Sequence, residues 1–122
     1  MSPITGDQLR GHLDTLILAT LEEGEGHGLA ILQRLETAGC GLLKLKEGSL
    51  YPALYRLEAA GQVTSFETPV PAGQKGAPRR MYRLTRKGKG SLAQGREQWQ
   101  EFASVLSKIL GVTPCLKPLP AN

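Results

Sequence analysis

The chain has 122 residues, of which 40% are hydrophobic, 21% charged and 5% aromatic. This length supports one small hydrophobic core and excludes a large multidomain enzyme. The apolar fraction is too high for a disordered chain, and the scarcity of aromatic residues predicts an aliphatic core. Because so small a domain buries only about two-thirds of its unfolded surface, we expect part of its stability to come from a partner subunit.

The sequence shows no signal for a membrane, a metal or a reaction. The first ten residues lack the basic-then-apolar order of a signal peptide, and no apolar run approaches the roughly 20 residues of a membrane span. We therefore expect a cytoplasmic protein with no membrane partner. Cys40 and Cys115 lack CxxC spacing, and His12 and His27 suit ordinary polar or capping roles. We expect free thiols, no metal, no cofactor and no catalytic residue.

The formal net charge of +4 hides a segregation along the chain. Residues 68–96, here called the basic segment, contain no acidic residue, and the remainder holds seven basic against eleven acidic residues. The basic members are Lys75, Arg79, Arg80, Arg83, Arg86, Lys87, Lys89 and Arg96. Such a segment on an acidic body suits a surface that binds a polyanion, because each neutralised phosphate releases counterions. A solvated, charge-rich loop is the alternative.

Helical periodicity marks the first half of the chain. A Thr-x-x-Gln capping box at 5–8 predicts the start of a first helix. Its apolar positions are Leu9, Leu13, Leu16, Ile17 and Leu21. The glycines at 24–28 predict a tight interhelix turn, since no strand precedes them to support a phosphate-binding loop. A second helix follows over 29–35 and stops near Gly39 and Gly41, and the alternation over 42–46 predicts a short strand.

The third helix is predicted from the run EGSLYPALYRLEAAG. Ser49 suits its N-cap, Pro52 its first turn and Gly61 its end. The buried stripe is predicted to be Leu50, Ala53, Leu54 and Leu57. The opposite face carries Tyr51, Pro52, Tyr55, Arg56 and Ala59. Hydroxyl donors, apolar groups and one guanidinium suit a face that docks on another surface, and packing against the same protein is the alternative.

The segment after the third helix predicts a basic hairpin. Strands are expected over 62–67 and 80–84, joined by a Pro/Gly-rich loop that carries Lys75 and Arg79. This order predicts a winged helix-turn-helix, a mainly α fold with a small β-hairpin, whose third helix enters the DNA major groove. The wing would then contact the adjacent backbone, with Lys44 and Lys46 before the third helix and Arg80 after the loop.

A long fourth helix begins after its predicted cap, Thr85. Six positions in it are separated by 3, 4, 3, 4 and 3 residues, which is a heptad seam that predicts dimerisation. They are Leu92, Gly95, Trp99, Phe102, Leu106 and Ile109. Trp99 suits a core anchor of the dimer, and alternatively the lining of a flat cavity for a planar apolar or aromatic molecule. Beyond Gly111 we expect a frayed tail.

Two runs, GSLYPALYRLEAAGQV and GAPRRMYRLTRKG, together with the long helix, resemble the PadR family of bacterial transcriptional regulators from about residue 9 to residue 109. The matching positions are Gly48, Leu50, Tyr51, Pro52, Leu54, Leu57, Glu58 and Gly61, then Arg80, Tyr82, Leu84, Thr85 and Gly88. Met81 departs from the pattern, where an aromatic commonly precedes the tyrosine, and the wing is unusually rich in proline.

The resemblance implies a homodimeric winged helix-turn-helix repressor of the short-tailed branch, which binds a pseudo-palindromic double-stranded DNA operator and is released by a small-molecule inducer. It maps the DNA contacts onto Ser49, Tyr51, Pro52, Tyr55 and Arg56 and onto the wing. We expect a DNA-binding domain at 5–85, a dimerisation helix at 86–111 and a tail at 112–122. The alternative is a winged-helix protein–protein interaction module without specific DNA binding.

Overall fold

The computed structural model describes residues 4, 9, 11–70, 72–73 and 75–113. Within them the chain forms four helices and one three-stranded antiparallel sheet, which confirms the predicted mainly α winged helix-turn-helix. In chain order the elements are α1 (Leu13–Glu22), β1 (Gly26–His27), α2 (Gly28–Ala38), α3 (Glu47–Ala59), β2 (Val63–Thr68), β3 (Arg79–Leu84) and α4 (Arg86–Leu110).

The first predicted helix does not run continuously from residue 5. The capping box at 5–8 lies outside the described residues. Gly11 has a φ of +87°, a left-handed conformation that a glycine adopts without strain, and α1 begins only at Leu13. Leu9 still reaches the core at 9% exposure. The apolar spacing therefore identified Leu9, Ile17 and Leu21 correctly as buried, whereas Leu13 and Leu16 are only partly buried and buried Leu18 was not predicted. It did not show the break in the backbone.

The sheet has the order β1–β3–β2, and its hairpin matches the predicted strands to within one residue. The register runs from Val63 opposite Leu84 to Thr68 opposite Arg79. The third strand was not predicted: Gly26 and His27, expected in a turn, pair with Tyr82 and Met81. A two-residue strand shows no alternation in sequence, and it forms because β3 offers an unpaired edge.

The strand predicted over 42–46 is wrong. Leu43 forms only an isolated parallel bridge with Ile4, and no longer ladder involves this segment within the described residues. Leu43 is buried at 6% exposure and its neighbour Lys44 is exposed, which accounts for the alternation of apolar and polar residues in this segment. A single buried anchor in an extended connection thus produces the same short pattern as a strand.

The core is aliphatic, as the composition predicted. Fully buried leucine, isoleucine and valine side chains from α1, α2, α3, β2 and α4 meet in one cluster. Among the described residues the buried cluster includes one aromatic side chain, Tyr82. No helix in the described ranges is long and apolar enough to cross a membrane.

The start of α3 differs from the prediction, although its end is confirmed. The helix begins at Glu47 after Lys46, and the Ser49 amide already donates to the Lys46 carbonyl at 3.0 Å, so Ser49 is the third helical residue and not the N-cap. Pro52 is consequently the sixth residue, inside the helix, where its missing N–H removes a bond to Gly48. At the far end Gly61 has a φ of +76° and terminates the helix.

Candidate nucleic-acid interface

The outer face of α3 lies in solvent in this chain. Tyr51 is 43% and Tyr55 75% exposed, whereas the predicted stripe of Leu50, Ala53, Leu54 and Leu57 is buried. Pro52, Arg56 and Ser49 are also exposed. Tyr51 packs partly on its own chain, because its ring covers Gly28 at the start of α2 so tightly that a side chain there would collide with it. The helix therefore presents its polar face outward.

Arg56, on that face, pairs with a carboxylate that the sequence did not reveal. Its Nη2 donates to Oδ1 of Asp14 in α1 at 3.1 Å. The two residues are 42 positions apart, so no local spacing could have connected them. Both side chains remain accessible, at 59% and 47% exposure.

Arg80, expected to contact DNA, is instead held within the protein. Its Nη2 donates to Oε1 of Glu58 in α3 at 3.1 Å, and the Ser65 hydroxyl donates to the same carboxylate. The hydrogen bond from Ser65 is the largest cause that holds the pKa of the Glu58 carboxyl below its usual range. Burial opposes this lowering of the pKa, and Arg80 adds to it. The carboxylate also raises the pKa of Arg80. This network fixes the hairpin against α3.

Strand alternation explains why neighbouring arginines differ. Successive side chains of β3 point to opposite faces, so Arg80 shares the inner face with buried Tyr82 while Arg79 and Arg83 lie on the outer face. There Arg79 Nη1 lies 3.3 Å from Nε2 of His27, and the Arg83 guanidinium lies 5.1 Å from the centre of the Phe66 ring. Stacking on an aromatic face orients a guanidinium without neutralising it.

The remaining predicted phosphate contacts are exposed lysines. Lys44 and Lys46 lie in the connection between α2 and α3, and Lys75 lies in the loop between β2 and β3. The carbonyl of Lys46 accepts the first backbone bonds of α3, from the amides of Ser49 and Leu50, so Lys46 marks the helix N-terminus. His27 has the capping role expected of it, because its Nδ1 accepts from the Ala30 amide at the start of α2.

The predicted seam of α4 divides into two parts. Leu92 is fully buried in the core of its own chain, and a side chain at Gly95 would lie 2.6 Å from Oγ1 of Thr15 in α1. Neither position therefore faces outward. Arg96 adds a bidentate contact to Glu22 at 2.9 and 3.2 Å. The rest of the seam is exposed: Trp99 49%, Phe102 49%, Leu106 40% and Ile109 75%.

An aromatic cluster occupies the point where the two parts of the seam meet. His12, just before α1, meets the Trp99 ring edge-on with ring centres 5.4 Å apart, and the rings of Trp99 and Phe102 are 6.0 Å apart. Sequence reasoning did not place His12 here, because its position depends on how α1 crosses α4. The described residues contain no group of three or more potential metal ligands.

Comparison with known proteins agrees with this architecture. The family model described as the transcriptional regulator PadR-like family matches residues 17–94. A transcriptional regulator of Mycobacterium tuberculosis is 36% identical over 87 residues, which cover 71% of this chain and 75% of that protein. An uncharacterized protein of Lysinibacillus sphaericus is 30% identical over 103 residues, which cover 84% and 92%.

Two solved structures of regulators share the fold. A transcriptional regulator from Clostridium thermocellum has a TM-score of 0.75 and 33% identity, with coverage of 84% of this chain and 97% of that one. A PadR family regulator from Eggerthella lenta has a TM-score of 0.74 and 28% identity, with 88% of each chain covered. These matches are to transcriptional regulators and not to enzymes, and the matched model spans α3 and the hairpin that carry the predicted signatures. The chain belongs to the transcriptional regulator PadR-like family.

Proposed function

We propose that this protein is a cytoplasmic, homodimeric repressor that inserts α3 into the major groove of a pseudo-palindromic operator and lays its hairpin on the adjacent backbone. The exposed, weakly charged face of α3 beside a basic hairpin is the observation that carries this proposal. A helix fits the major groove, where each base pair offers a distinct set of donors and acceptors.

The α3 face has the groups that base reading requires. The Arg56 guanidinium has the geometry to donate two hydrogen bonds to one guanine, and the exposed Tyr55 hydroxyl suits base edges or phosphates. The Tyr51 hydroxyl lies against Gly28, so the exposed part of its ring supplies mainly apolar contact. Pro52 offers apolar contact for a thymine methyl group. Ser49, near the helix N-terminus, suits a phosphate.

The hairpin and the connection before α3 supply contacts that fix position without reading sequence. Exposed Lys75, Arg79 and Arg83 suit the backbone on one side of α3, and Lys44 and Lys46 suit it on the other. Arg80 contributes less because Glu58 already neutralises it. Each phosphate contact adds about 0.9 to the slope of log affinity against log salt concentration.

Dimerisation through the second half of α4 would present two α3 helices to successive major grooves, roughly 34 Å apart. Trp99, Phe102, Leu106 and Ile109, with Val105 and Leu110 beside them, expose a contiguous apolar surface of the kind that marks an interface. Residues 5–85 thus form the DNA-binding domain and 86–111 the dimerisation helix, whose first half also completes the core of the domain. The predicted tail at 112–122 is described only at its first two residues.

The aromatic cluster of His12, Trp99 and Phe102 suits a planar apolar or aromatic inducer. Such a molecule would stack on the exposed half of Trp99 and change how the two copies of α4 pack. A ligand releases DNA only if it binds the non-binding arrangement of the two α3 helices more tightly.

Fluorescence anisotropy with two labelled duplexes tests the proposal, one taken from the region upstream of the protein's own gene and one of random sequence. We expect tighter binding to the upstream duplex, one dimer per site and a steep dependence on salt. Arg56→Ala should weaken binding to the upstream duplex more than to the random one. The matched control Lys108→Ala removes one charge at the far end of α4 and should leave this preference unchanged. Weak, equal binding to both duplexes, without salt dependence, would favour the protein-interaction module.

A further inference from the structure

The ion pair between Arg56 and Asp14 joins the base-reading face of α3 to the first turn of α1. It is made through one nitrogen of the guanidinium, at 3.1 Å, and both side chains are about half exposed. Together with Leu13, Leu45 and Ser49 the pair lines an open cleft of about 330 Å³. Solvent therefore reaches both charged groups, and an exposed single contact of this kind is weak.

We propose that Asp14 is a specificity-determining residue, which holds Arg56 away from the DNA backbone and releases it only to a guanine. This role rests on the proposed DNA-binding function. A guanidinium that leaves Asp14 for one phosphate oxygen exchanges one charged contact for another and gains little. One that leaves it for a guanine gains two parallel hydrogen bonds to O6 and N7.

The carboxylate also opposes binding wherever Arg56 stays paired. The pair then carries no net charge, so it offers the phosphates of a random duplex none of the attraction that an unpaired Arg56 would supply. Specificity is the difference between the affinity for the operator and the affinity for random DNA. A group that weakens binding to random DNA therefore raises specificity, even when binding to the operator is hardly changed.

A purely structural role for Asp14 predicts different results. The carboxylate suits the first turn of α1, where the helix dipole favours a negative charge, and the pair connects α1 with α3. If that were its whole role, its removal would lower the stability of the fold and leave the ratio of specific to random affinity unchanged. The ratio therefore separates the two roles.

The decisive variant is Asp14→Asn, and the chain offers a matched control in Glu22→Gln. Both remove one negative charge from α1 and break one exposed ion pair with an arginine, but Glu22 lies eight residues further on, about 12 Å along the helix, and pairs with Arg96 of α4. The probes are a duplex selected by the wild-type protein from a randomised library and an unselected duplex, each titrated at several salt concentrations.

Asp14→Asn should bind the unselected duplex about 3- to 10-fold more tightly and the selected duplex less than about 2-fold more tightly, so the ratio falls. Its salt slope on the unselected duplex should steepen by about 0.9 per subunit, because Arg56 becomes a phosphate contact. Asp14→Glu keeps the carboxylate and should retain the wild-type ratio. In an Arg56→Ala background, Asp14→Asn should change the ratio no further.

An unchanged ratio in Asp14→Asn, or the same change in Glu22→Gln, would overturn the role of Asp14 while leaving the proposed function intact. Equal affinity of the wild-type protein for selected and unselected duplexes would overturn the proposed function and this role together. Thermal unfolding of each variant verifies the fold. Should Asp14→Asn unfold, a loss of discrimination in the folded Asp14→Glu protein would equally contradict the proposal.

Discussion

Gly88 of α4 packs tightly against the base of the hairpin, and its replacement by alanine should destabilise the protein. Gly88 is buried at the start of α4, where its amide donates to the capping Oγ1 of Thr85 at 3.0 Å. A methyl group on it would lie 2.7 Å from a methyl of Leu84 and closer still to the carbonyl oxygen of Gln62. That carbonyl already accepts the Thr85 amide at 3.1 Å, so it is not free to move aside.

Two opposing terms set the magnitude of this effect. Alanine favours a helix over glycine by about 1 kcal/mol. Forcing a methyl group into a filled site typically costs about 1–3 kcal/mol, and a collision with fixed backbone belongs at the upper end of that range. We therefore expect Gly88→Ala to lower the free energy of unfolding by about 2 kcal/mol, which corresponds to roughly 10 °C in Tm for a domain of this size.

Gly90, two residues further along α4, provides the matched control. Nothing lies within 4 Å of the position that its side chain would take, so Gly90→Ala should gain up to about 1 kcal/mol from helix propensity alone. When the variants are unfolded in urea at the same protein concentration, the midpoint of Gly88→Ala should lie below that of the wild type and the midpoint of Gly90→Ala above it. A midpoint for Gly88→Ala equal to or above that of Gly90→Ala would refute the close approach.

Three further predictions concern the hairpin and the seam. Because the pKa of Glu58 is lowered, its carboxylate stabilises the fold above the ordinary carboxyl range, and this stabilisation is lost as the pH falls through the lowered pKa. Ser65→Ala should therefore lower the urea midpoint of unfolding at neutral pH, and the difference from the wild type should become smaller in acid. A difference that is the same at both pH values would contradict this. Leu106→Asp places a charge in the proposed interface and should shift sedimentation at micromolar protein towards the monomer, whereas unchanged sedimentation would exclude the seam. Arg79→Ala should reduce the slope of log affinity against log salt concentration by about 0.9 per subunit on any duplex. Arg80→Ala should chiefly lower the urea midpoint of unfolding. Equal changes of slope in the two variants would contradict the placement of Arg79 on the outer face and Arg80 on the inner face of β3.

Much of the fold was predictable because its signals are local. The buried stripe of α3, the Thr85 cap, the Gly61 end and the two hairpin strands each depend on neighbours within a few residues, and each is confirmed. The break at Gly11 and the strand at 26–27 were missed for the opposite reason. A glycine permits a left-handed turn without requiring it, and β1 forms only because β3 lies beside it in the folded chain.

The residues of the candidate site could be predicted from the sequence, but the ion pairs that they form could not. Sequence periodicity placed Tyr51, Tyr55 and Arg56 on one face, as the structure shows. It could not show that Arg56 meets Asp14 or that Arg80 meets Glu58, because such pairs depend on the crossing of elements that are distant in sequence. The count of basic residues in the basic segment is therefore higher than the number of unpaired positive charges on its surface. Alternation along β3 determines which arginines lie on the outer face.

The division of the α4 seam has a consequence for how the proposed inducer would act. The first half of α4 is fastened to its own domain by buried Leu92, by the close approach of Gly95 to Thr15 and by the bidentate pair of Arg96 with Glu22. A packed joint of this kind does not absorb a rotation, because cores transmit strain and do not deform continuously. A change in the crossing of the two exposed halves near Trp99 would therefore turn each winged domain as a rigid body, and the spacing of the two α3 helices would change with it.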